Sequence, residues 1–448
     1  MGTLRQGLWR RVAVFATAAI VAACSSSGSP TPSSPASAGP SAAPSVAVSA
    51  APSPSAAPVT LTVWGSPDWN AAQKAELQAF TDTTGIKVNL ELPKDQATVI
   101  AKWSAGERPD VMFYFADAAH LVALNPAQNL QDLSNEPFAA QQLPSIQAAM
   151  KFDGKTYAAL WITPYVFGML YNKAIFTELG LQPPANFNDV LAICKTIKAK
   201  KPDVAPVFAG GGDMWPLQAV VIEMNLDGER DGSWINGLNT ATSKFTDPAW
   251  LQGIQDLKQL VDGGCYNKDL LTATFEQESH TLTTGKAAMI FNNTYEAGVM
   301  LTNDGASKVD STVGFVGISQ NSNAAGFQGS AGIEAPKTGD PAHEAAARQM
   351  INFYLIDGYK TFINAYNDTP VMQGVDAPAG IPQILKDANA AYLKDGVPIF
   401  SQGLRADYGD FATALNQMVA GKLTPEQVGQ AMQASLEKSA KAIGLPGY

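Results

Sequence analysis

The spacing of hydrophobic and polar residues predicts alternating strands and helices from about residue 60 onward. Residues 60–64 and 86–90 alternate with period two, as half-buried strands do, and residues 71–81 and 95–105 carry apolar positions at helical spacing. Residues 111–115 are apolar throughout, which is typical of a buried parallel strand. Strand, helix, strand, helix, strand is the order of an open α/β sheet.

The second half of the chain repeats this order with clear helix starts. Asp247-Pro248 and Asp340-Pro341 each place proline at the first position of a predicted helix. Thr424-Pro425-Glu426-Gln427 adds a capping box ahead of apolar residues at i,i+4 spacing. The 448 residues less the first 58 leave 390, which is too long for one ordinary core, so we expect two lobes.

The first 24 residues have the pattern of an export signal. A segment with three arginines precedes the uncharged apolar run 12–23, which is too short to span a bilayer as a mature helix. The run closes on Val21-Ala22-Ala23-Cys24, which resembles the bacterial lipobox. We therefore expect an extracytoplasmic protein that acyl chains on Cys24 anchor to the cell membrane. Export through the general secretory route or the twin-arginine route stays open.

Residues 25–58 differ in composition from the rest of the chain. They consist of Ser, Pro, Ala and Gly with a little Thr and Val, and they contain no charged or aromatic residue. Such a segment cannot bury enough apolar surface to offset its chain entropy, and its prolines favour an extended form. We interpret it as a tether that holds the folded part away from the membrane.

Net charge limits the possible binding partners of the protein, and its cysteines raise the possibility of a disulfide. Processing at Cys24 removes three arginines and leaves 27 basic against 40 acidic residues, a net charge of −13. This acidic balance argues against nucleic acid as a partner. Two further cysteines remain, Cys194 and Cys265. An exported protein can form a disulfide, but the helical pattern around Cys194 favours two separate buried cysteines, and the sequence leaves their pairing open.

Short motifs follow one another in a fixed order over most of the chain. The motifs are Leu61-Thr62-Val63-Trp64-Gly65, Phe80 with Thr84-Gly85-Ile86-Lys87-Val88, Gly106 with Pro109-Asp110-Val111, Asp153-Gly154-Lys155-Thr156-Tyr157-Ala158 with Leu170-Tyr171-Asn172-Lys173, and Phe275 with Gly285-Lys286-Ala287-Ala288-Met289. Together these motifs resemble the family 1 extracellular solute-binding proteins, the maltose-binding-protein-like group, from about Leu61 to Leu436. Asn186-Phe187 departs from that family's pattern, in which Thr-Trp is usual.

The resemblance implies a type II periplasmic-binding-protein-like fold, with two α/β lobes joined by three crossing segments and a ligand cleft between them. An open α/β sheet likewise binds ligands at the carboxyl ends of its strands. The crossings are expected near 161–166, 313–317 and 364–370. The expected lobes are therefore discontinuous: 59–163 with 317–363 for the N-terminal lobe, and 164–316 with 364–448 for the C-terminal lobe.

A sugar site needs aromatic rings for the apolar sugar faces, with carboxylates and amides for the hydroxyls. Residues of these types follow the predicted strands or flank the first crossing, and Asp117 and Tyr408 are added by the resemblance. Asp117 has a second interpretation as the cap of the next helix. The candidate ligand-binding residues are Trp64, Asp68, Trp69, Asp117, Trp161, Tyr165, Asp213, Trp215, Asn292, Asn293, Tyr295, Ser330 and Tyr408.

The function that the resemblance implies is a monomeric receptor that delivers a sugar or oligosaccharide to the membrane subunits of an ABC importer by cleft closure. We expect no catalytic residues, no cofactor and no metal. The sequence contains no G-x-S-x-G or H-E-x-x-H motif, and its three histidines lie far apart.

Two alternatives stay open. The same fold can bind a polyamine or another cationic small molecule, for which Asp68, Asp117 and Asp213 are candidate partners. A secreted carbohydrate-active enzyme is the second alternative, because a pair of catalytic carboxylates has no sequence signature in a chain this acidic.

Overall fold

Two large sheets, each covered by helices, organise the part of the chain that the structure describes. The structure is a computed structural model that describes residues 59–67, 69–329 and 331–448. The strands of this part are β1 Thr60–Trp64, β2 Lys87–Glu91, β3 Val111–Tyr114, β4 Lys151–Phe152, β5 Lys155–Thr156, β6 Ala158–Leu160, β7 Tyr165–Asn172, β8 Ala205–Val207, β9 Ala287–Asn293, β10 Val313–Val316, β11 Ala325–Gln328, β12 Gly332–Glu334 and β13 Gly396–Pro398.

Helices connect and cover these strands. None of those in the described ranges is both long and apolar enough to cross a membrane. They are α1 Ala71–Thr84, α2 Gln96–Ser104, α3 Ala118–Leu124, α4 Pro126–Asn129, α5 Pro144–Ala149, α6 Lys173–Leu179, α7 Phe187–Lys200, α8 Leu217–Glu229, α9 Ser233–Leu238, α10 Pro248–Asp262, α11 Phe275–Thr283, α12 Thr294–Asp304, α13 Ala306–Thr312, α14 Pro341–Asn352, α15 Tyr359–Tyr366, α16 Gln383–Asp395, α17 Phe400–Gly403, α18 Phe411–Val419 and α19 Pro425–Ile443.

Local sequence signals explain where several helices begin and end. The predicted capping box at α19 is present, with the Thr424 side chain accepting from the Gln427 backbone and Pro425 at the first helical position. Helix α1 has a capping box at Asn70 and ends at Gly85, whose φ of 73° suits a residue without a Cβ. The predicted strand and helix order over residues 60–115 is confirmed to within a few residues.

The first sheet has the strand order β2-β1-β3-β12-β6. Strand β1 pairs in parallel with β2 and β3, whereas β12 runs antiparallel to β3 and β6. Helices α1, α14 and α15 cover it, and Phe80, Tyr354 and Phe362 are buried between these elements. The carboxyl ends of β1 and β3 therefore meet at one edge of this lobe, where an open α/β sheet binds its ligands.

The second sheet is built around β7, its longest strand. Its order is β13-β11-β7-β9-β8, with β10 also paired to β7. Helices α8 and α10 pack on one face of this lobe's sheet, and α12 and α16 pack on the other. Because β7 runs antiparallel to β9, the first residues of β7 lie beside the last residues of β9.

The chain passes between the two large sheets three times, first at residues 161–164, between β6 and β7. The second is predicted near 313–317, but the structure corrects this placement. Strand β7 is long enough to pair with β10 through its second half and with β11 through its first half. Both strands therefore belong to the second sheet, and the chain joins the first sheet only at β12, which begins at Gly332.

The third passage also lies later than the predicted segment 364–370. Val371 and Met372 are still buried in the core of the first lobe, and Leu143 donates its backbone N–H to the Val371 carbonyl. The chain then leaves this lobe over residues 376–382 and enters α16, which packs on the second sheet. The predicted lobe boundaries at 316/317 and 363/364 shift accordingly.

The lobes also touch beside the passages. Helix α17 of the second lobe packs against α3 of the first. The Arg405 guanidinium lies 4.5 Å from the centre of the Phe152 ring, and its Nη2 is 2.5 Å from Asp153 Oδ1. Arg405 therefore joins the two lobes.

A disulfide links Cys194 in α7 to Cys265, just after α10, which corrects the preference for two separate cysteines. The sequence pattern around Cys194 correctly indicates a buried helix face, since both residues are buried. Folding brings their Cα atoms to 5.7 Å across a sequence separation of 71 residues, which allows a disulfide.

We predict that replacing both cysteines with alanine lowers the free energy of unfolding by up to about 4 kcal/mol, because the bond closes a long loop in the unfolded chain. Urea unfolding of the oxidised protein and of the double variant measures this difference. Treatment with a reductant should destabilise only the wild type. Equal unfolding midpoints for oxidised and reduced wild type would contradict the assignment.

Candidate functional site

Two cavities open on either side of the first passage. One, of about 390 Å³, lies in the second lobe, and the other, of about 470 Å³, lies in the first. Tyr165, the first residue of β7, lines both. Each volume falls in the range of about 300–1,000 Å³ that is usual for small-molecule sites. The two cavities therefore form the facing halves of a cleft between the lobes.

Aromatic rings line one wall of the second-lobe cavity. The ring centres of Trp215 and Phe275 are 4.6 Å apart, and those of Phe275 and Tyr295 are 5.7 Å apart with an interplanar angle of 10°. Tyr295 in turn lies 6.0 Å from Tyr165. Trp215, Tyr295 and Tyr165 contact the cavity directly, and Phe275 packs between the first two. The rings form a continuous aromatic wall.

The glycines before Trp215 are required by close packing. A Cβ on Gly210 would come within 2.5 Å of the Phe275 backbone nitrogen, and one on Gly211 within 2.3 Å of the Leu270 carbonyl oxygen. Asp213 accepts a hydrogen bond of 2.7 Å from the Phe275 backbone. The glycine-rich loop is thus locked against the start of α11, and this contact places Trp215 beside Phe275.

Met214 holds a strained turn immediately before Trp215. Its φ of 64° and ψ of −52° are those of a tight three-residue turn, closed by a 2.7 Å hydrogen bond from Trp215 N to the Asp213 carbonyl oxygen. A turn with a positive central φ is rare and strained for a residue with a side chain. The turn directs the chain so that Trp215 reaches the cavity.

A buried carboxyl group supports the cavity from behind. Glu278 is fully buried and accepts hydrogen bonds from Asn292 Nδ2 at 3.0 Å and Gly210 N at 2.7 Å. Burial raises the pKa of Glu278 to about 8, against the opposing effect of these two hydrogen bonds. Because Asn292 lines the cavity and Gly210 begins the tryptophan loop, Glu278 connects two parts of the wall.

The second-lobe cavity is uncharged. None of the residues that line it in the described part of the chain is Asp, Glu, Lys or Arg. Its polar groups are amides and hydroxyls, and burial raises the pKa of Tyr408 to about 12, which keeps that hydroxyl protonated. The lining residues are Tyr165, Phe167, Trp215, Gln218, Ala219, Ile222, Asn292, Asn293, Tyr295, Gln328, Ile399, Phe400, Ser401 and Tyr408.

The first-lobe cavity is also aromatic but has a mixed rim. Trp69 and Trp161 pack edge-on against Phe113, with ring centres 4.5 and 5.7 Å away. The Trp161 indole Nε1 is buried and has no hydrogen-bond partner within the described residues. Lys94 and Asp95 stand at the rim, where Asp95 caps α2. This half thus combines apolar rings with one acidic and one basic residue.

Eight of the predicted residues line one half of the cleft or both. Their position agrees with the prediction, although ligand contact itself stays a prediction. Tyr165 stands at the junction of the two halves, and Asn292 and Asn293 contribute amides through the end of β9. The eight are Trp69, Trp161, Tyr165, Trp215, Asn292, Asn293, Tyr295 and Tyr408.

Three predicted residues take other positions in the structure. The Trp64 ring is buried in the first core, and its Nε1 donates to Glu91 at 3.1 Å. Asp117 is buried and caps α3, accepting from His120 N at 3.1 Å, so its second interpretation is the one observed. Asp213 is exposed and bonds to the backbone of Phe275. None of the three lines either half of the cleft in the described part of the chain.

Three further residues of predicted function, Asp68, Ser330 and Cys24, lie outside the described residues. Their neighbours Pro67, Trp69 and Ala331 line the first-lobe cavity.

Several wall residues have no local sequence signal that marks a site. Gln218 and Ile222 lie one turn apart on α8, where helical spacing predicts packing, and Gln328 ends a short strand. Phe275 belongs to a recognised motif, but nothing in the sequence places its ring against Trp215. Only the packing of α8, α11 and β11 around β7 brings these side chains together.

A cleft between two α/β lobes, lined from both sides and crossed by connecting segments, defines a two-lobed ligand-binding protein. The family of bacterial extracellular solute-binding proteins matches residues 75–391 of the chain, which therefore belongs to this family of binding proteins.

Individual relatives are distant. An uncharacterized ABC transporter extracellular-binding protein of Pyrococcus horikoshii is 26% identical over 174 residues, which are 36% of this chain and 40% of that protein. A multiple sugar-binding protein of Streptococcus mutans is 22% identical over 215 residues, or 47% of this chain and 50% of that protein. The chain thus matches about half the length of these relatives or less.

A solved structure supports the fold over a much longer span. A chitin oligosaccharide binding protein superposes with a TM-score of 0.70 at 21% identity, covering 86% of this chain and 99% of its own. At this identity the likeness establishes the fold alone. The predicted periplasmic-binding-protein-like α/β fold is confirmed.

We predict that Met214→Gly raises the unfolding free energy by about 1 kcal/mol, because glycine adopts a positive φ without strain. Differential scanning calorimetry against the wild type measures the change. Met214→Leu is the control, since it keeps a Cβ in the same turn and should not be stabilised. A glycine variant that melts at or below the wild-type temperature would show that the turn is not strained.

Proposed function

We propose that this protein is the sugar-binding receptor of an ABC importer. The observation that carries the proposal is the uncharged wall of the second-lobe cavity, where aromatic rings lie among amides and hydroxyls. Aromatic faces suit the C–H faces of a sugar ring, and amides suit its hydroxyl groups. Two of the similar proteins are named for sugar ligands, one for multiple sugars and one for chitin oligosaccharides, which supports the same class of ligand.

Charge favours a neutral ligand over a polyamine. A cation would need carboxylates in the cleft, but Asp117 and Asp213 are engaged elsewhere and line neither half. Among the described residues lining the two halves, Asp95 is the single acidic residue, and it caps a helix. A single acidic residue among these lining residues also argues against a glycosidase, because the mechanism of a glycosidase needs two carboxyl groups flanking the scissile bond.

Closure of the two lobes is the mechanism that this geometry supports. A sugar held on the Trp215 and Tyr295 rings of one lobe faces Trp69 and Trp161 of the other. Rotation about the three passages brings these surfaces together and removes water from the ligand.

The remaining parts of the proposal concern location and partners. Cys24 carries the lipid anchor, residues 25–58 form the tether, and the closed monomer docks on the membrane subunits of its importer. The motifs of the first 58 residues support this reading. No cofactor or metal takes part, and transport energy comes from a separate ATPase.

The test of the ligand class is a thermal-shift and calorimetric screen against neutral mono- and oligosaccharides, with putrescine and spermidine as cationic competitors. A ligand at 100 times its dissociation constant stabilises the protein by about 2.7 kcal/mol. A shift with sugars alone supports the proposal. A shift with the polyamines alone overturns it.

For the best sugar in that screen, we predict that Trp215→Ala weakens binding by about 1–3 kcal/mol, or roughly 5- to 150-fold, because the ring stacks on the ligand. Isothermal titration calorimetry measures the effect. Trp234→Ala is the matched control, since Trp234 is a partly buried tryptophan of the same lobe that lines neither half of the cleft. An equal loss in both variants would refute a direct role for Trp215.

We predict that Cys24→Ala releases the protein from the membrane fraction of producing cells, because the acceptor of the acyl chains is lost. Fractionation followed by immunoblotting measures the distribution, and Ser25→Ala provides the control. Retention of the Cys24→Ala protein in the membrane fraction would contradict the anchor.

A further inference from the structure

A third cavity adjoins both halves of the cleft. It has a volume of about 520 Å³ and lies beside the first passage, between α12 and α16 of the second lobe and the segment after α15 of the first. Tyr165 lines all three cavities. Tyr295 is shared with the second-lobe half, and Tyr366 with the first-lobe half. A ligand lying over Tyr165 therefore reaches the edge of this third space.

The lining of the third cavity adds one carboxylate to the kinds of aromatic, hydroxyl and amide groups found in the cleft. Three tyrosine rings stand on its cleft side, and Thr302, Asn303 and Asn389 add hydroxyl and amide groups. Asp368 is the one charged residue among its described lining residues. Aromatic faces beside a carboxylate and amides are what a sugar residue requires.

Asp368 is held in place with one oxygen unused. Its Oδ1 accepts the Thr369 N–H at 2.7 Å, and no partner within the described residues bonds to its Oδ2. Thr369 is itself fixed, because Thr163 Oγ1 of the first passage donates to its carbonyl oxygen at 2.8 Å. Burial raises the pKa of Asp368 to about 6, so the group is still mostly ionised at pH 7.5. A fixed carboxylate oxygen is a strong acceptor for a sugar hydroxyl.

We propose that this third cavity, with Asp368 as hydrogen-bond acceptor, is a further carbohydrate subsite that makes the protein select oligosaccharides over monosaccharides. The inference rests on the proposed sugar-binding function and deepens it. One sugar residue lies over Tyr165 between the two halves of the cleft, and the next residue of the same chain enters the third cavity. The subsite adds contacts that a monosaccharide cannot make.

Two glycines provide a matched test of this subsite. Gly298 lies on α12 and lines the third cavity, and a Cβ added to it meets nothing within 4 Å. Gly228 lies on α8, is exposed, and has the same open surroundings. Gly298→Leu therefore adds a side chain at the lining of the third cavity with no clash at its Cβ. Gly228→Leu makes the same change in a helix that does not line this cavity.

The experiment is calorimetric titration of the full chain with galactose, raffinose and stachyose, and with chitin oligosaccharides of one to four residues. We expect wild-type affinity to rise with chain length in the series that binds. Gly298→Leu should weaken the longest binding sugar at least about tenfold and the shortest less than twofold, and Gly228→Leu should change neither. Melting temperatures near that of the wild type confirm that both variants fold.

Asp368→Asn tests the acceptor without filling the space. Loss of one charge-assisted hydrogen bond should weaken the longer sugars by about tenfold and leave the shortest unchanged. Asp376→Asn, at an exposed aspartate further along the same connection, is its control. A length preference that disappears in both Gly298→Leu and Asp368→Asn supports the subsite.

Two other results distinguish a failure of the proposed subsite from a failure of the proposed sugar-binding function. If the wild type binds sugars but Gly298→Leu and Asp368→Asn leave the length dependence unchanged, the subsite is refuted and the sugar-binding function stands. If the wild type binds none of these sugars and a polyamine does bind, the proposed function itself fails, and the subsite fails with it.

Discussion

The passage of the chain from β6 into β7 is the constraint on which the rest of the site depends. Residues 161–164 leave the first sheet, and Tyr165 begins the strand around which the second sheet forms. Thr163 bonds to Thr369, close to where the chain leaves the first lobe for the last time. The first passage is thus bonded to the segment that follows α15. Tyr165 beside it lies next to both halves of the cleft.

Two features of the aromatic wall in the second lobe lower the stability of the fold but fix the shape of the cavity. Glu278 is buried where its charged form is disfavoured, and Met214 adopts a strained backbone conformation. Both are next to the loop that carries Trp215. Strain and buried polar groups persist only where the surroundings hold them, and here Gly210 and Gly211 leave no space for the loop to move toward α11. A rigid aromatic wall loses little entropy when a ligand binds.

The comparison of Trp64 with Trp215 shows how far residue type alone can identify a binding residue. Trp64 ends a strand, and Trp215 follows a strand after a short loop, so both satisfy the rule that binding residues come at or after the ends of strands. Trp64 ends β1 with its indole bonded to Glu91, whereas Trp215 is carried past β8 by the glycine loop and emerges in the cavity. Asp213 differs from expectation for a similar reason, because its carboxylate accepts the backbone N–H of Phe275, which is 62 residues away in sequence. The cap that Asp117 forms on α3 is instead a local contact, and the sequence already indicated it.

The sequence by itself determined the order of strands and helices over residues 60–115, the cap of α19 and the family, because these depend on near neighbours in the chain or on motifs in a fixed order. Only the tertiary structure decided the later passages, the pairing of Cys194 with Cys265, and the set of rings that line the cleft. Each of these depends on contacts between residues far apart in sequence. Strand β7 illustrates the reason, since one strand accommodates β9, β10 and β11, and no local pattern states which partner lies at which end.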